Sequence, residues 1–329
     1  MCIKKLFVVL VIFSANISAQ VSYIDYLSPF HPTIGQKGMV VSQNQASSDI
    51  GIQILDMGGN AVDAAVAVGF SLAITLPRAG NLGGGGFMLV YLQEEQKTIA
   101  VDFRSAAPKD IQQDDFLFLK NNYDQRRYGY KASGVPGTVA GLIETHEKYG
   151  KLSLKEILKP VINQAKKGIA VSYDLNQAIG SARQIALDLG SSQIYLKDGI
   201  PLPEHSRMAR KNLAWAITEI ANKGQKAFYE GSIAKKIVQA MEDNGGYISA
   251  ADLKEYKPRF SEPIQTSYRG FKVFAHPPPA GGAAVVLESL NILENFSVEE
   301  MGPYSAQFLH VFAEALQRGH MDRSRFMGD

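Results

Sequence analysis

The sequence predicts a mixed α/β chain of the α+β type, and three features carry that reading. Residues 61–74 form an almost unbroken run of Ala, Val, Leu and Phe, the composition of a helix buried on nearly every face. Phe87–Leu92 and residues 98–104 are two apolar runs around the polar turn Glu94-Glu95-Gln96-Lys97, which reads as a β-hairpin. Their continuous apolar character suggests a covered sheet, because a strand with one wet face alternates instead. Helical periodicity then dominates residues 136–167 and 210–244.

The N-terminus has its own pattern. Met1-Cys2-Ile3-Lys4-Lys5 is a short basic start, residues 6–13 are apolar but too few to cross a bilayer, and residues 14–19 are small and mostly polar. This reads as a cleavable secretory signal over residues 1–19, cut after Ala19. Removal takes Lys4 and Lys5, so the formal charge falls from +2 to zero over residues 20–329. It also takes Cys2, the sole cysteine. An exported chain of this size without disulfides fits a bacterial periplasm, or secretion.

Residues 38–42 suggest a short strand. Ser47-Ser48-Asp49 then caps a helix running to Met57, with Ile50, Ile54 and Leu55 on one side. Gly58-Gly59-Asn60 ends that helix and starts the buried one, which Pro77 closes. Further on, Ser232 reads as the N-cap of a helix through Asn244, stopped by Gly245-Gly246. A second hairpin over residues 263–276 turns at Arg269-Gly270. Pro277-Pro278-Pro279-Ala280-Gly281-Gly282 leads into a helix ending near Glu294, and a last amphipathic helix covers residues 304–319. With no internal repeat and no long linker, residues 20–329 read as a single domain.

Several chemistries are excluded. Near-neutral charge, from 34 basic and 32 acidic side chains, argues against nucleic acid or an anionic membrane surface as a bulk partner. Residues 61–76 are too short for a membrane span and carry Asp63. The six histidines show no two-histidine helical spacing; His146-Glu147 starts like a zinc-peptidase helix, but Gly150 stands where the second histidine should be. No metal site is expected. There is no Gly-x-Ser-x-Gly elbow and no Gly-x-x-x-x-Gly-Lys-Ser/Thr loop. Ser232-Ile233-Ala234-Lys235 matches the serine–lysine acylase tetrad, a pattern short enough to arise by chance, and the N-cap is its simpler account.

Two features carry chemical content. Gly83-Gly84-Gly85-Gly86 precedes the first strand, and four glycines cost chain entropy that something must require. They are either a nest of amides for an anion or oxyanion, or a close approach of two backbones. Arg104 ends the second strand beside Asp102. Its planar fork can hold a carboxylate bidentately, or it pairs structurally with Asp102 or another acid.

Taken jointly, several segments resemble the γ-glutamyltransferase (glutathione hydrolase) family. They are residues 49–69, residues 81–88 with the four glycines, Asp102-Phe103-Arg104 through Pro108, and Ser133-Gly134-Val135-Pro136-Gly137 through Gly141. Residues 277–282 with Asn291-Ile292-Leu293-Glu294, and residues 310–318 with 322–329, complete the set. Order and spacing are those of the family; Pro279-Ala280, where serines are more usual, is a departure.

The resemblance implies the large-subunit part of an N-terminal nucleophile hydrolase with a four-layer α-β-β-α sandwich. In that family a precursor cuts itself before a threonine, and the freed threonine attacks the γ-glutamyl amide of glutathione with its own α-amine as base, a sensible pairing for a weak hydroxyl nucleophile. Water, an amino acid or a dipeptide then accepts the acyl group. No cofactor is implied; the implied partners are a γ-glutamyl substrate and a small subunit from the same precursor. By motif position Arg104 is the substrate-binding residue that grips the α-carboxylate, and the glycines become packing near the active site.

The catalytic threonine is missing. Thr33, Thr75, Thr98, Thr138, Thr145, Thr218 and Thr266 all lie within or before large-subunit blocks, and Thr145-His146 is a chance fragment inside a helix. The sequence therefore reads as a domain truncated before the small subunit and inactive alone. The alternatives are a non-catalytic relic or binding protein of the same fold, or a relative of the glutaryl-type acylases.

Overall fold

The computed structural model describes residues 32–112, 114–115 and 127–327; the signal reading over residues 1–19 lies outside them. The chain divides into two compact units, Met1–Met39 and Val40–Asp329. In the first, residues 32–39 are exposed and carry no helix or strand. The expected strand at 38–42 does not form. Val40 instead lies on the first helix of the second unit, where a Cβ on Gly51 would come within 2.6 Å of Val40 Cγ1.

Helices α1 (Gln45–Asp56) and α2 (Ala61–Thr75) pack together. The first begins earlier than expected: Asn44 is its N-cap, its side chain accepting the Ala46 N–H at 3.0 Å. The serines expected to cap it do other work. Buried Ser47 Oγ lies 2.8 Å from Ser71 Oγ and 2.7 Å from Thr75 Oγ1. Ser71 donates onward to Gln164 Oε1 at 2.7 Å, a hydroxyl chain that satisfies polar groups inside an apolar helix pair. Asn60 and Asp63 form a capping box that starts α2, and Asp63, fully buried, also accepts the Lys151 N–H at 3.0 Å.

The hairpin is β1 (Phe87–Leu92) and β2 (Lys97–Asp102), antiparallel with Phe87 opposite Asp102. Helices α3 (Thr138–Tyr149), α4 (Leu154–Lys167), α5 (Lys211–Lys223), α6 (Ser232–Asn244) and α7 (Ala250–Glu255) follow. Short β3 (Arg259–Ser261) then completes an antiparallel sheet in the order β1-β2-β3, with Arg259 opposite Asp102. One sheet face, Met88, Val90, Leu92, Ile99, Val101 and Phe260, joins the core built by Ile54, Val66, Phe70, Ile74, Val139, Ile143, Ile157 and Ile217. The other face bears Phe87, Leu89 and Tyr91, which are 40%, 42% and 52% exposed. Their cross-strand neighbours Asp102, Ala100 and Thr98 are buried, so among the described residues the expected cover is fuller on the first face and only partial on this one.

The second hairpin, β4 (Ile264–Tyr268) and β5 (Phe271–Ala275), turns at Arg269 and Gly270, both with positive φ as a tight two-residue turn requires. Helix α8 (Gly281–Leu293) packs along α9 (Ala306–Phe326). The latter runs past the expected stop. Gly319 is a contact glycine inside it, where a Cβ would sit 3.1 Å from the Val285 backbone. Ser232 is also corrected: Gly231 is the N-cap of α6, and Ser232 donates to Glu219 Oε2 at 3.3 Å.

A Cβ on Gly141, in α3, would overlap the Phe103 ring. Gly141→Ala is expected to lower stability by about 1–3 kcal/mol despite the better helix propensity of alanine. Urea unfolding checks this; an unchanged or raised midpoint would show that Phe103 has room to move.

Candidate functional site

The four glycines supply room. None of Gly83, Gly84, Gly85 or Gly86 has a positive φ. Gly84 O accepts the amides of Gly137 and Thr138 at 2.7 and 3.0 Å, while Gly86 and Phe103 exchange hydrogen bonds of 3.2 and 3.0 Å that extend the β1–β2 ladder. A Cβ on Gly85 would stand 2.5 Å from Ser105 N and 2.6 Å from Phe103 O. Of the two readings of this segment, close backbone approach is the one realised. On the far side, Ala106 and Val135 exchange N–H···O bonds of 3.1 and 2.8 Å. Residues 81–88 and 102–108, the two ends of the first hairpin, thus meet residues 133–141 around Arg104.

Arg104 is exposed and its main chain is held at both ends. Its N–H donates to Asp102 Oδ1 at 2.9 Å, and its carbonyl accepts the Tyr256 hydroxyl at 2.8 Å. Asp102, only 8% exposed, takes Arg259 Nη2 on its other oxygen at 2.8 Å. The cross-strand register explains that pair, since Arg259 lies directly opposite Asp102.

Tyr256 is itself supported. Its ring stacks on Tyr229 at 5.9 Å and 7° between planes. Tyr229 donates to Pro136 O at 2.8 Å and accepts the Ala140 N–H at 3.1 Å. Burial pushes both phenols well above their ordinary range, so each stays a neutral donor at any physiological pH. A Cβ on Gly137 would collide with both Phe103 O and the Tyr256 hydroxyl. Just before Tyr256, Asp252 accepts the Lys109 N–H at 3.0 Å, and Glu255 meets Lys109 Nζ. Burial opposes charge on Asp252, but hydrogen bonds from Ser249 and from the Lys109 amide outweigh it and hold the carboxyl below the usual range.

The C-terminal family-like segments begin beside the first strand. The His276 ring lies 4.5 Å from that of Phe87, and a Cβ on Gly281 would sit 2.7 Å from Arg323 Nε. Thr145 and His146 are structural: Thr145 Oγ1 donates to Gly141 O at 2.7 Å, and His146 Nε2 lies 2.9 Å from Leu152 O and 3.3 Å from Asp63 Oδ1. Among the described residues no group of three His, Cys, Asp or Glu side chains could hold a metal, and no helix is long and apolar enough to cross a membrane. Sequence reasoning missed Tyr229, Tyr256 and Arg259. The Glu255-Tyr256-Lys257-Pro258-Arg259 stretch has no distinctive pattern, and Tyr256 meets Arg104 across 152 positions of chain.

The family model described as gamma-glutamyltranspeptidase matches residues 47–329. The glutathione hydrolase proenzyme of Escherichia coli (strain K12) is 41% identical over 304 residues, covering 91% of this chain and 52% of that protein. An acylase proenzyme, ACY 1 of Pseudomonas sp. (strain V22), is 34% identical over 309 residues, covering 91% and 55%. The crystal structure of Helicobacter pylori gamma-glutamyltranspeptidase superposes with a TM-score of 0.87 at 35% identity, covering 91% of this chain and 86% of that one. The chain belongs to the gamma-glutamyltranspeptidase family and has its N-terminal nucleophile hydrolase fold. It spans about half the length of the curated relatives it matches.

Tyr229→Phe removes one buried hydroxyl and leaves Pro136 O and the Ala140 N–H without it. The expected loss is about 1–3 kcal/mol of unfolding free energy. A urea midpoint within error of the parent would mean that the Tyr229 hydroxyl does not hold this corner.

Proposed function

We propose that this chain is the large-subunit part of an enzyme that hydrolyses or transfers the γ-glutamyl group of glutathione and related compounds. The observation that carries the reading is Arg104: an exposed cation on a fixed main chain, at the point where its own segment meets two glycine-bearing ones. In this reading its guanidinium forks the α-carboxylate of the substrate, which sets the γ-amide at a fixed distance from the anchor.

The nucleophile is a threonine in a small subunit cut from the same precursor. Its hydroxyl attacks the γ-carbonyl, its α-amine takes the proton and hands it to the amide nitrogen, the C–N bond breaks, and the leaving group departs as an amine. The acyl-threonine is then released to water, an amino acid or a dipeptide. No cofactor is called on. The match to about half of relatives named as proenzymes supports a second portion. The apolar face of Phe87, Leu89 and Tyr91 supports it independently, because strands with continuous apolar runs are those a second layer covers. Residues 1–19 act as an export signal that delivers the precursor to the periplasm or outside the cell.

The kinship with acylase ACY 1 favours one second reading, in which the substrate is a glutaryl-type acyl group with no α-amine. Relative rates on γ-glutamyl- and glutaryl-p-nitroanilide separate the two.

In the complete enzyme, Arg104→Ala is expected to raise KM for γ-glutamyl-p-nitroanilide and to cost roughly 2–4 kcal/mol of transition-state binding, about 30- to 900-fold in kcat/KM. Parental kinetics in that variant would remove Arg104 from the site. The 329-residue chain purified alone is expected to release no p-nitroaniline; turnover by it would place the nucleophile within these residues.

A further inference from the structure

Arg104 is the side chain assigned above to the proposed site, and a guanidinium grips a carboxylate well only if its origin is fixed. A long arginine on a loose main chain loses in ordering what it gains in pairing. Here the origin is fixed by contacts that the sequence disperses widely. We infer that Tyr256 is a positioning residue for substrate binding: its hydroxyl pins the Arg104 carbonyl while Asp102 pins the Arg104 N–H, and the two together set where the guanidinium begins. This rests on the reading of Arg104 as the carboxylate anchor.

Four observations converge on Tyr256. Its hydroxyl reaches Arg104 O at 2.8 Å across 152 positions of chain. The ring is braced by Tyr229, stacked at 5.9 Å and itself held by Pro136 O and the Ala140 N–H. The helix that precedes it, α7, is tied to the chain just beyond Arg104 through Asp252 and Glu255 on Lys109. Gly137 is bare where a methyl group would displace the phenol from Arg104 and strike Phe103 O. Space, stacking, tether and hydrogen bond are all arranged around one phenol and one carbonyl. A tyrosine held for packing alone would need none of the last. Asp102 completes the clamp, since its second oxygen is occupied by Arg259, which fixes the carboxylate that receives the Arg104 N–H.

The test is a double-mutant cycle in the complete two-subunit enzyme, with Arg104→Ala, Tyr256→Phe and the double variant assayed on γ-glutamyl-p-nitroanilide. Tyr256→Phe keeps the stacked ring and deletes only the hydroxyl. It is expected to raise KM about 3- to 10-fold while kcat stays within about twofold. In the Arg104→Ala background the same change is expected to add less than about twofold to KM, because the group it positions is gone. Thermal unfolding of each variant is recorded alongside. A lowered Tm with an unmoved KM, a loss confined to kcat, or an equal KM rise in both backgrounds overturns the positioning role. A KM rise for Arg104→Ala with none for Tyr256→Phe overturns this inference alone. An unmoved KM for Arg104→Ala overturns the anchor reading and this inference with it.

Discussion

Residues Phe103, Arg104 and Ser105 run between two glycine-bearing segments so closely that no side chain fits at Gly85 and Gly137 against the main chain, or at Gly86 and Gly141 against the Phe103 ring. Gly85 and Gly86 press from one side, Gly137 and Gly141 from the other, and each would place a Cβ within 3 Å of Phe103, Arg104 or Ser105 atoms. Close packing of this kind is bistable at best: the segments meet at one spacing or they do not meet. Much else follows from that contact. The Phe103 ring enters the core beside Val101 and Val139, the Gly84 carbonyl receives the first amides of α3, and the strand pair ends with Arg104 at a defined place.

That constraint also explains the entropy spent on four consecutive glycines. A positive φ would have been one reason for them, but none of the four uses it. The requirement is steric, and it gives the site rigidity without any side chain that could compete for a substrate. On the proposed reading, a rigid backbone beneath the exposed Arg104 suits recognition of an anionic group at fixed range. The apolar outer face of β1 beside it gives the same region a surface that a further layer of protein would desolvate, which strengthens charge pairing there.

The helices and both hairpins were legible because each has a local cause. Apolar runs, the polar turn after Leu92 and the Arg269-Gly270 turn act over a few residues, and the structure puts these elements where the sequence does. Three errors have one source: Ser47, Ser232 and Gly319 were read by local capping rules, whereas tertiary contacts assign them. Ser47 is recruited into a buried hydroxyl chain, Ser232 yields the cap to Gly231, and Gly319 admits α8 instead of ending α9. The pairing of Asp102 with Arg259 had no local signal, because the two are cross-strand neighbours 157 positions apart. Tyr256 could not be found at all from local pattern; its meaning lies wholly in what it touches.

The central claim is that Arg104 reads the α-carboxylate of a γ-glutamyl substrate. The most direct measurement compares the complete enzyme and its Arg104→Ala variant on γ-glutamyl-p-nitroanilide and on 4-aminobutyryl-p-nitroanilide, which lacks only that carboxylate. The parent should favour the γ-glutamyl compound by roughly 30-fold or more in kcat/KM, and the variant should lose nearly all of that preference. A variant that keeps the parental preference would contradict the claim, because the carboxylate would then be recognised by something other than Arg104.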